Sequence, residues 1–254
     1  MSKIYDALRK AENEKRKRSG STRVKPASRK IDMSRDSSLL KGMDENFRRA
    51  LLTLRNTIES ETKERNTRTI VFTSAVGGEG KTTVLSAFAR ALAIGQGEKI
   101  LLVDCSIRNP RLHKLFGVEN DKGIIDYLNG RSDLPNLTHH LGIPGLDLIT
   151  AGVTEDVDIS IPLFNSDRMS LFMREVSEAY EYVLIDTSAV LEAPETSIIG
   201  SYSDGIIMII YIGKTRREVI KRAILMVEKL DGRFIGTVLN RKKYYIPELI
   251  YRRV

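Results

Sequence analysis

The stretch from Ile70 to Thr83 constrains this chain more than any other. A short β-branched and aromatic run, Ile-Val-Phe-Thr-Ser, breaks into Ala-Val-Gly-Gly-Glu-Gly and then Lys-Thr-Thr. From Ala75 the spacing is Ala-x-x-x-x-Gly-Lys-Thr, the Walker A pattern with Ala in place of the first glycine. Such a pattern has meaning only between a strand and a helix. Residues 69–73 predict the strand, and residues 81–94 predict the helix, with Val84, Leu85, Phe88, Leu92 and Ala93 spaced along one apolar face. Glycines let a backbone approach an anion closely, so the loop amides and the helix N-terminus can cradle phosphates. Gly77, Gly78, Glu79, Gly80, Lys81, Thr82 and Thr83 are therefore candidate nucleotide-binding residues. Lys81 is placed to reach the β- and γ-phosphates, and the Thr82 hydroxyl to ligate Mg²⁺.

Two apolar runs downstream each end in a carboxylate: Lys99 to Asp104 and Tyr182 to Asp186. Unbroken apolar runs suit parallel strands buried on both faces, and the carboxyl ends of such strands are where open α/β sheets bind ligands. Asp186 fits a Walker B carboxylate that holds Mg²⁺, and Asp104 to Pro110 fits the neighbouring segment. Residues 146–150, 205–212 and 234–239 predict further strands, and residues 43–59, 124–129, 166–180 and 216–229 predict helices. On the helix 166–180, Met169, Phe172, Met173 and Val176 read as inward positions. Strands alternating with helices imply an α/β fold, a mostly parallel sheet flanked by helices, of the P-loop NTPase type with Walker A, A′ and B segments. His113, His139 and His140 lack metal-ligand spacing and read as surface or loop residues.

Charge divides the chain. Residues 1–35 hold twelve Lys and Arg against four Asp and Glu, which is the whole of the net charge of +8, so the remainder is neutral. A basic arm of this kind suits an anionic membrane surface or an acidic partner, or is a solvated linker, and nucleic acid is the disfavoured partner. Within it, residues 1–15 place Ile4, Tyr5, Leu8 and Ala11 at helical spacing, an amphipathic docking helix, and residues 16–42 read as a basic linker. Residues 43–241 form the nucleotide-binding domain and 242–254 a tail. The longest apolar run, residues 205–212, is too short to span a bilayer, and the N-terminus lacks a signal-peptide core. With a single cysteine, Cys105, read as a small buried residue, a cytoplasmic location is expected.

Over residues 44–241 the sequence resembles the bacterial tyrosine kinases (BY-kinases) associated with capsular and exopolysaccharide export. The resemblance is carried by Thr73 to Thr83, Leu101 to Pro110, Gly123 to Gly130, Ser166-Asp167-Arg168-Met169, Ile185-Asp186-Thr187 and Val238-Leu239-Asn240-Arg241. The opening, Met1 to Glu12, resembles soluble members tied to exopolysaccharide and exosortase systems. The resemblance implies an ATP- and Mg²⁺-dependent autokinase recruited to the inner face of the membrane by a membrane-embedded polysaccharide co-polymerase. By the same resemblance, Lys81, Asp104 and Asp186 are catalytic, Thr82, Asp104 and Asp186 hold the metal, and Asn240 and Arg241 lie near the adenine. Tyr244, Tyr245 and Tyr251 are the candidate phosphoacceptors.

The departures from that family are specific. Its Asp-x-Asp is Asp104-Cys105-Ser106 here, and two prolines after Walker B are Ser188 and Ala189. Losing the second carboxylate removes a group that organises Mg²⁺ or accepts a proton, an effect worth up to ~3–4 kcal/mol. A nucleotide-dependent switch with weak phosphotransfer is the alternative these changes motivate. The family's Glu-x-x-Arg-x-x-Arg oligomerisation pattern is Glu45, Arg48 and Leu51, which leaves a homo-oligomer as an expectation with two of three positions met. Partition-type ATPases carry Lys-Gly-Gly-x-Gly-Lys-Thr-Thr, and Val76 stands where their signature lysine would be.

Overall fold

The apolar strand runs of the sequence assemble into one seven-stranded sheet. The computed structural model describes residues 45–63, 68–154, 160–229 and 232–241. The expected helix of residues 1–15, the linker 16–42 and the tail 242–254, with Tyr244, Tyr245 and Tyr251, lie outside the described residues. The strands are β1 (Arg68–Ser74), β2 (Ile100–Asp104), β3 (Thr138–His140), β4 (Leu146–Ile149), β5 (Tyr182–Asp186), β6 (Gly205–Tyr211) and β7 (Phe234–Asn240). They are ordered β3-β4-β2-β5-β1-β6-β7, and every neighbouring pair is parallel except β3 and β4.

Helices cover both faces: α1 (Glu45–Glu61), α2 (Lys81–Gln96), α3 (Leu112–Phe116), α4 (Ile124–Leu128), α5 (Leu134–Leu137), α6 (Ser160–Phe164), α7 (Asp167–Ala179), α8 (Glu195–Ser201) and α9 (Arg217–Glu228). Because side chains alternate along a strand, each central strand feeds two cores. Val71, Leu101, Val103, Val183 and Ile185 join α4, α7 and α9 on one side, while Ile70, Phe72, Ile100, Leu102 and Leu184 meet α1, α2 and α3 on the other. This double burial is the reason those strands read as unbroken apolar runs.

The long elements fall within a few residues of their expected bounds. All five positions assigned to the buried face of α2 are buried, as are Met169, Phe172, Met173 and Val176 on α7, whose N-cap Ser166 accepts from the Met169 amide. On α1, Leu51 and Ile58 are buried and Leu54 packs against them, but Phe47 is 37% exposed. Five short elements went unread: α3, α5, β3, α6 and α8. Each spans seven residues or fewer, under two helical turns, too little for a periodic signal. His139 and His140 consequently lie on β3 and His113 on α3, and the His140 Nδ1 pairs with Asp147 Oδ1 at 2.6 Å. Strand β7 runs to Asn240, one residue past its expected end.

Phe88 of α2 is fully buried and its ring centroid lies 6.0 Å from that of Phe72 on β1, so it ties the phosphate-loop helix to the sheet. Phe88→Ala is expected to destabilise the protein by about 3–5 kcal/mol, measured by denaturant unfolding.

Candidate nucleotide site

The Ala75–Gly80 loop sits at the carboxyl edge of the sheet, between β1 and α2. Gly80, immediately before the helix, adopts φ +89°, and a Cβ there would come within 2.4 Å of Asn240 Nδ2. The position therefore demands glycine for backbone conformation and for space. The loop that follows β5 is stapled to β1: Thr73 Oγ1 donates to the Ser188 carbonyl at 2.9 Å, Thr187 Oγ1 donates to the Phe72 carbonyl at 3.1 Å, and the Val190 amide donates to the Ser74 carbonyl at 2.9 Å.

Parallel register brings Asp104 and Asp186 side by side at the ends of β2 and β5, both fully buried. They are partnered unequally. Asp104 accepts three backbone N–H groups, from Ser106 on Oδ1 and from Arg111 and Leu112 on Oδ2, each at 3.0 Å. Asp186 Oδ2 accepts the Thr82 hydroxyl at 2.7 Å, and its Oδ1 is buried with no partner. Burial first, and then the charge of Asp104, push Asp186 up to about 7. Burial also raises Asp104, against its three amide donors and the Lys81 ammonium. The amides favour ionised Asp104, so a proton shared by the pair rests on Asp186.

A buried oxygen with no partner, on a carboxylate that already holds a hydroxyl, fits a hard divalent cation that takes oxygen ligands. Asp186 and Thr82 would hold Mg²⁺ here, with Asp104 contributing charge from behind. Above them opens a cavity of about 560 Å³. Lys81, Arg108, Arg111, Lys114 and Arg241 line it, against one carboxylate among the described lining residues, Glu192. A strongly cationic cavity over a metal position is the electrostatic complement of a nucleotide triphosphate.

Gly77, Gly78, Gly80, Lys81, Thr82, Thr83 and Arg241 all line the cavity. Two other expected binding residues turn their side chains into the fold. Glu79 is 2% exposed. Its Oε2 accepts the Val76 amide at 3.1 Å, and its Oε1 accepts the Tyr211 amide at 3.0 Å and the Thr215 hydroxyl. It braces the loop against the end of β6. Asn240 Nδ2 donates to the Glu79 carbonyl at 2.8 Å and its Oδ1 accepts the Arg241 amide at 2.8 Å, so it latches β7 to the loop. In both cases a side chain, buried for Glu79 and half-buried for Asn240, satisfies loop amides or carbonyls that have no sheet partner.

Ser106 and Ser188, two of the departures from the family pattern, meet in space: their hydroxyl oxygens lie 3.2 Å apart on the cavity wall. The sequence holds no signal for that contact, because 82 residues separate them. Sequence reading also missed Glu192 and the pairing of Arg108 with Glu195, which is 1% exposed. Cys105 is buried and burial raises its thiol well above the ordinary range, which keeps it protonated and unreactive.

Residues 67–234 match a family described as an AAA domain. The tyrosine-protein kinase YwqD of Bacillus subtilis is 30% identical over 191 residues, covering 75% of this chain and 79% of YwqD. The putative tyrosine-protein kinase EpsB of Ralstonia solanacearum is 27% identical over 191 residues, 75% of this chain but only 25% of EpsB. Among solved structures, the VpsO kinase domain is alike with a TM-score of 0.68 and 28% identity, over 78% of this chain and 97% of that domain. Loop, paired carboxylates, sheet order and relatives agree: the chain belongs to the bacterial tyrosine kinase family, built on a P-loop nucleotide-binding fold.

Proposed function

We propose that this protein is an ATP-dependent protein-tyrosine autokinase that regulates exopolysaccharide polymerisation or export together with a membrane-embedded partner. The observation that carries the phosphotransfer reading is the unpartnered Asp186 Oδ1, buried beside the Thr82 hydroxyl under a cavity lined by five cations. Lys81 reaches the β- and γ-phosphates, the loop amides of Gly78 to Thr83 cradle them, and Arg241 lies toward the base. Asp186 and Thr82 would hold Mg²⁺, which would supply the charge neutralisation that phosphoryl transfer requires. Tyrosine as acceptor follows from the family, with Tyr244, Tyr245 and Tyr251 as the acceptors in the tail. Support for a membrane partner comes from the resemblance to exopolysaccharide-associated kinases and from the basic N-terminal arm. No helix among the described residues is long and apolar enough to cross a membrane. Incubation with ATP and Mg²⁺ is expected to yield phosphotyrosine by mass spectrometry, and Lys81→Met to abolish it. A wild-type protein that stays unmodified even with its membrane partner present overturns the kinase reading.

The Asp186 shift sets a pH dependence. Its folded value of about 7 lies above the free-carboxylate value, so the folded state binds the extra proton. Without metal, stability contributed by that proton is full below about 4 and is lost as pH rises through about 7. Asp186→Asn is expected to flatten that fall, raise the metal-free Tm at pH 8, and remove the added stability that Mg²⁺-ATP gives the wild type, all measured by thermal unfolding.

A second reading, a nucleotide-dependent switch with weak phosphotransfer, is favoured by the Ser106–Ser188 contact. A hydroxyl pair stands where the family carries a carboxylate, and Asp104 has both oxygens taken by backbone amides. On that reading Ser106→Asp raises the rate of phosphotyrosine formation at least ~10-fold. An unchanged rate removes Ser106 as the cause of weak transfer.

A further inference from the structure

One carboxylate faces the phosphate loop from a wall that is otherwise cationic. Among the described residues that line the nucleotide cavity, Lys81, Arg108, Arg111, Lys114 and Arg241 suit an anion, and Glu192 alone opposes one. Glu192 Oε1 accepts the Gly77 amide at 2.7 Å. A Cβ on Gly77 would lie 3.4 Å from that oxygen and 3.3 Å from Oε2, so both oxygens of the carboxylate rest against the loop. A glycine-rich loop ahead of a helix presents its amides to anionic oxygens, and a carboxylate oxygen is the same kind of charged acceptor as a phosphate oxygen. Glu192 therefore sits on the phosphate loop in the manner of a ligand.

The loop touches a second carboxylate, and the contrast between the two shows which can leave. Glu79 is 2% exposed, and its oxygens take three donors: the Val76 amide, the Tyr211 amide and the Thr215 hydroxyl. Moving it would strand buried donors away from water. Glu192 is exposed, and the Gly77 amide is its one donor among the described residues. Its backbone is held independently of that contact. The Glu192 and Ala193 amides both donate to the Ala189 carbonyl, at 2.9 and 3.0 Å, and the Val190 amide donates to the Ser74 carbonyl at 2.9 Å. Glu195, which opens α8, is 1% exposed and pairs with Arg108 at 3.2 Å. Release thus needs only the turn of one exposed side chain into water, among the fastest motions a protein makes.

A negative charge held against the loop repels phosphate oxygens that approach the same amides, while the cavity cations attract them. Affinity for nucleotide is the balance between that cationic wall and a single opposing carboxylate. We propose that Glu192 is an intramolecular competitor of the nucleotide. Its carboxylate holds the Gly77 amide, is turned out by the arriving phosphates and returns as the nucleotide leaves, which lowers affinity and speeds release. This inference rests on the nucleotide-binding part of the kinase reading and adds to it a built-in control of occupancy.

The test uses the full-length protein with Mg²⁺ and a fluorescent non-hydrolysable ATP analogue. Glu192→Ala is expected to tighten the Kd at least ~5-fold and to slow dissociation of the analogue. Glu192→Gln keeps the size of the side chain and an oxygen for the Gly77 amide but loses the charge, and is expected to tighten the Kd at least ~3-fold. Both gains over wild type are expected to shrink at high salt, because the charge removed is exposed and screened. Equal Tm values before nucleotide is added establish folding, and the near-isosteric Glu192→Gln carries the test if Glu192→Ala is unstable. An unchanged Kd overturns the inference, and so does a weaker one, because Glu192 then supports the loop. Both results leave the kinase reading intact. A wild type that binds the analogue but forms no phosphotyrosine with ATP overturns the kinase reading, while the Kd comparison still decides this inference. A wild type that binds no nucleotide overturns both.

Discussion

Two carboxylates buried side by side, Asp104 and Asp186, repel each other, and the surrounding structure answers that repulsion at each point. Three backbone amides converge on Asp104, which turns the chain after β2 and fixes Ser106, Arg111 and Leu112. The Lys81 ammonium lowers the cost of both charges, and Thr82 donates to Asp186. One oxygen of Asp186 is left without a partner, and a cation resolves that deficit better than any side chain present. The phosphate loop, the turn after β2 and the unpartnered oxygen of Asp186 are thus parts of a single electrostatic arrangement.

That arrangement is held by polar braces outside it. Glu79 and Asn240 tie the loop to the ends of β6 and β7, so the loop's shape depends on strands more than 130 residues away in the chain. The glycines supply conformational freedom, and the braces remove it again. A loop fixed before the nucleotide arrives loses less entropy on binding. The site is also tuned on its open side. Ser106 and Ser188, both departures from the family pattern, touch through their hydroxyls on the cavity wall.

Much of the fold was legible in the sequence because its strands are buried on both faces and its long helices on one. Those two burial patterns leave unbroken apolar runs and a 3.6-residue period, respectively. Helices under two turns carry too little of that period, and β3 is three residues with no buried position, so α3, α5, α6, α8 and β3 emerged only in the structure. The site divides the same way. Lys81, Thr82, Asp104 and Asp186 were legible because a strand end or a helix start fixes each of them locally. Glu79 and Asn240 were legible as members of motifs, but not as braces, since a side chain's direction depends on what packs around it.

By itself the sequence determined the order of every strand but β3 and of α1, α2, α4, α7 and α9, the phosphate loop and the two strand-end carboxylates, because local spacing and burial set each of these. Tertiary structure alone decided which carboxylate is saturated and which is left with a free oxygen. It also brought Ser106 to Ser188 and set Glu192 on the Gly77 amide, across 82 and 115 residues of chain. Such contacts depend on strand order and register in a parallel sheet, where neighbours in space are remote in sequence and no local pattern records them.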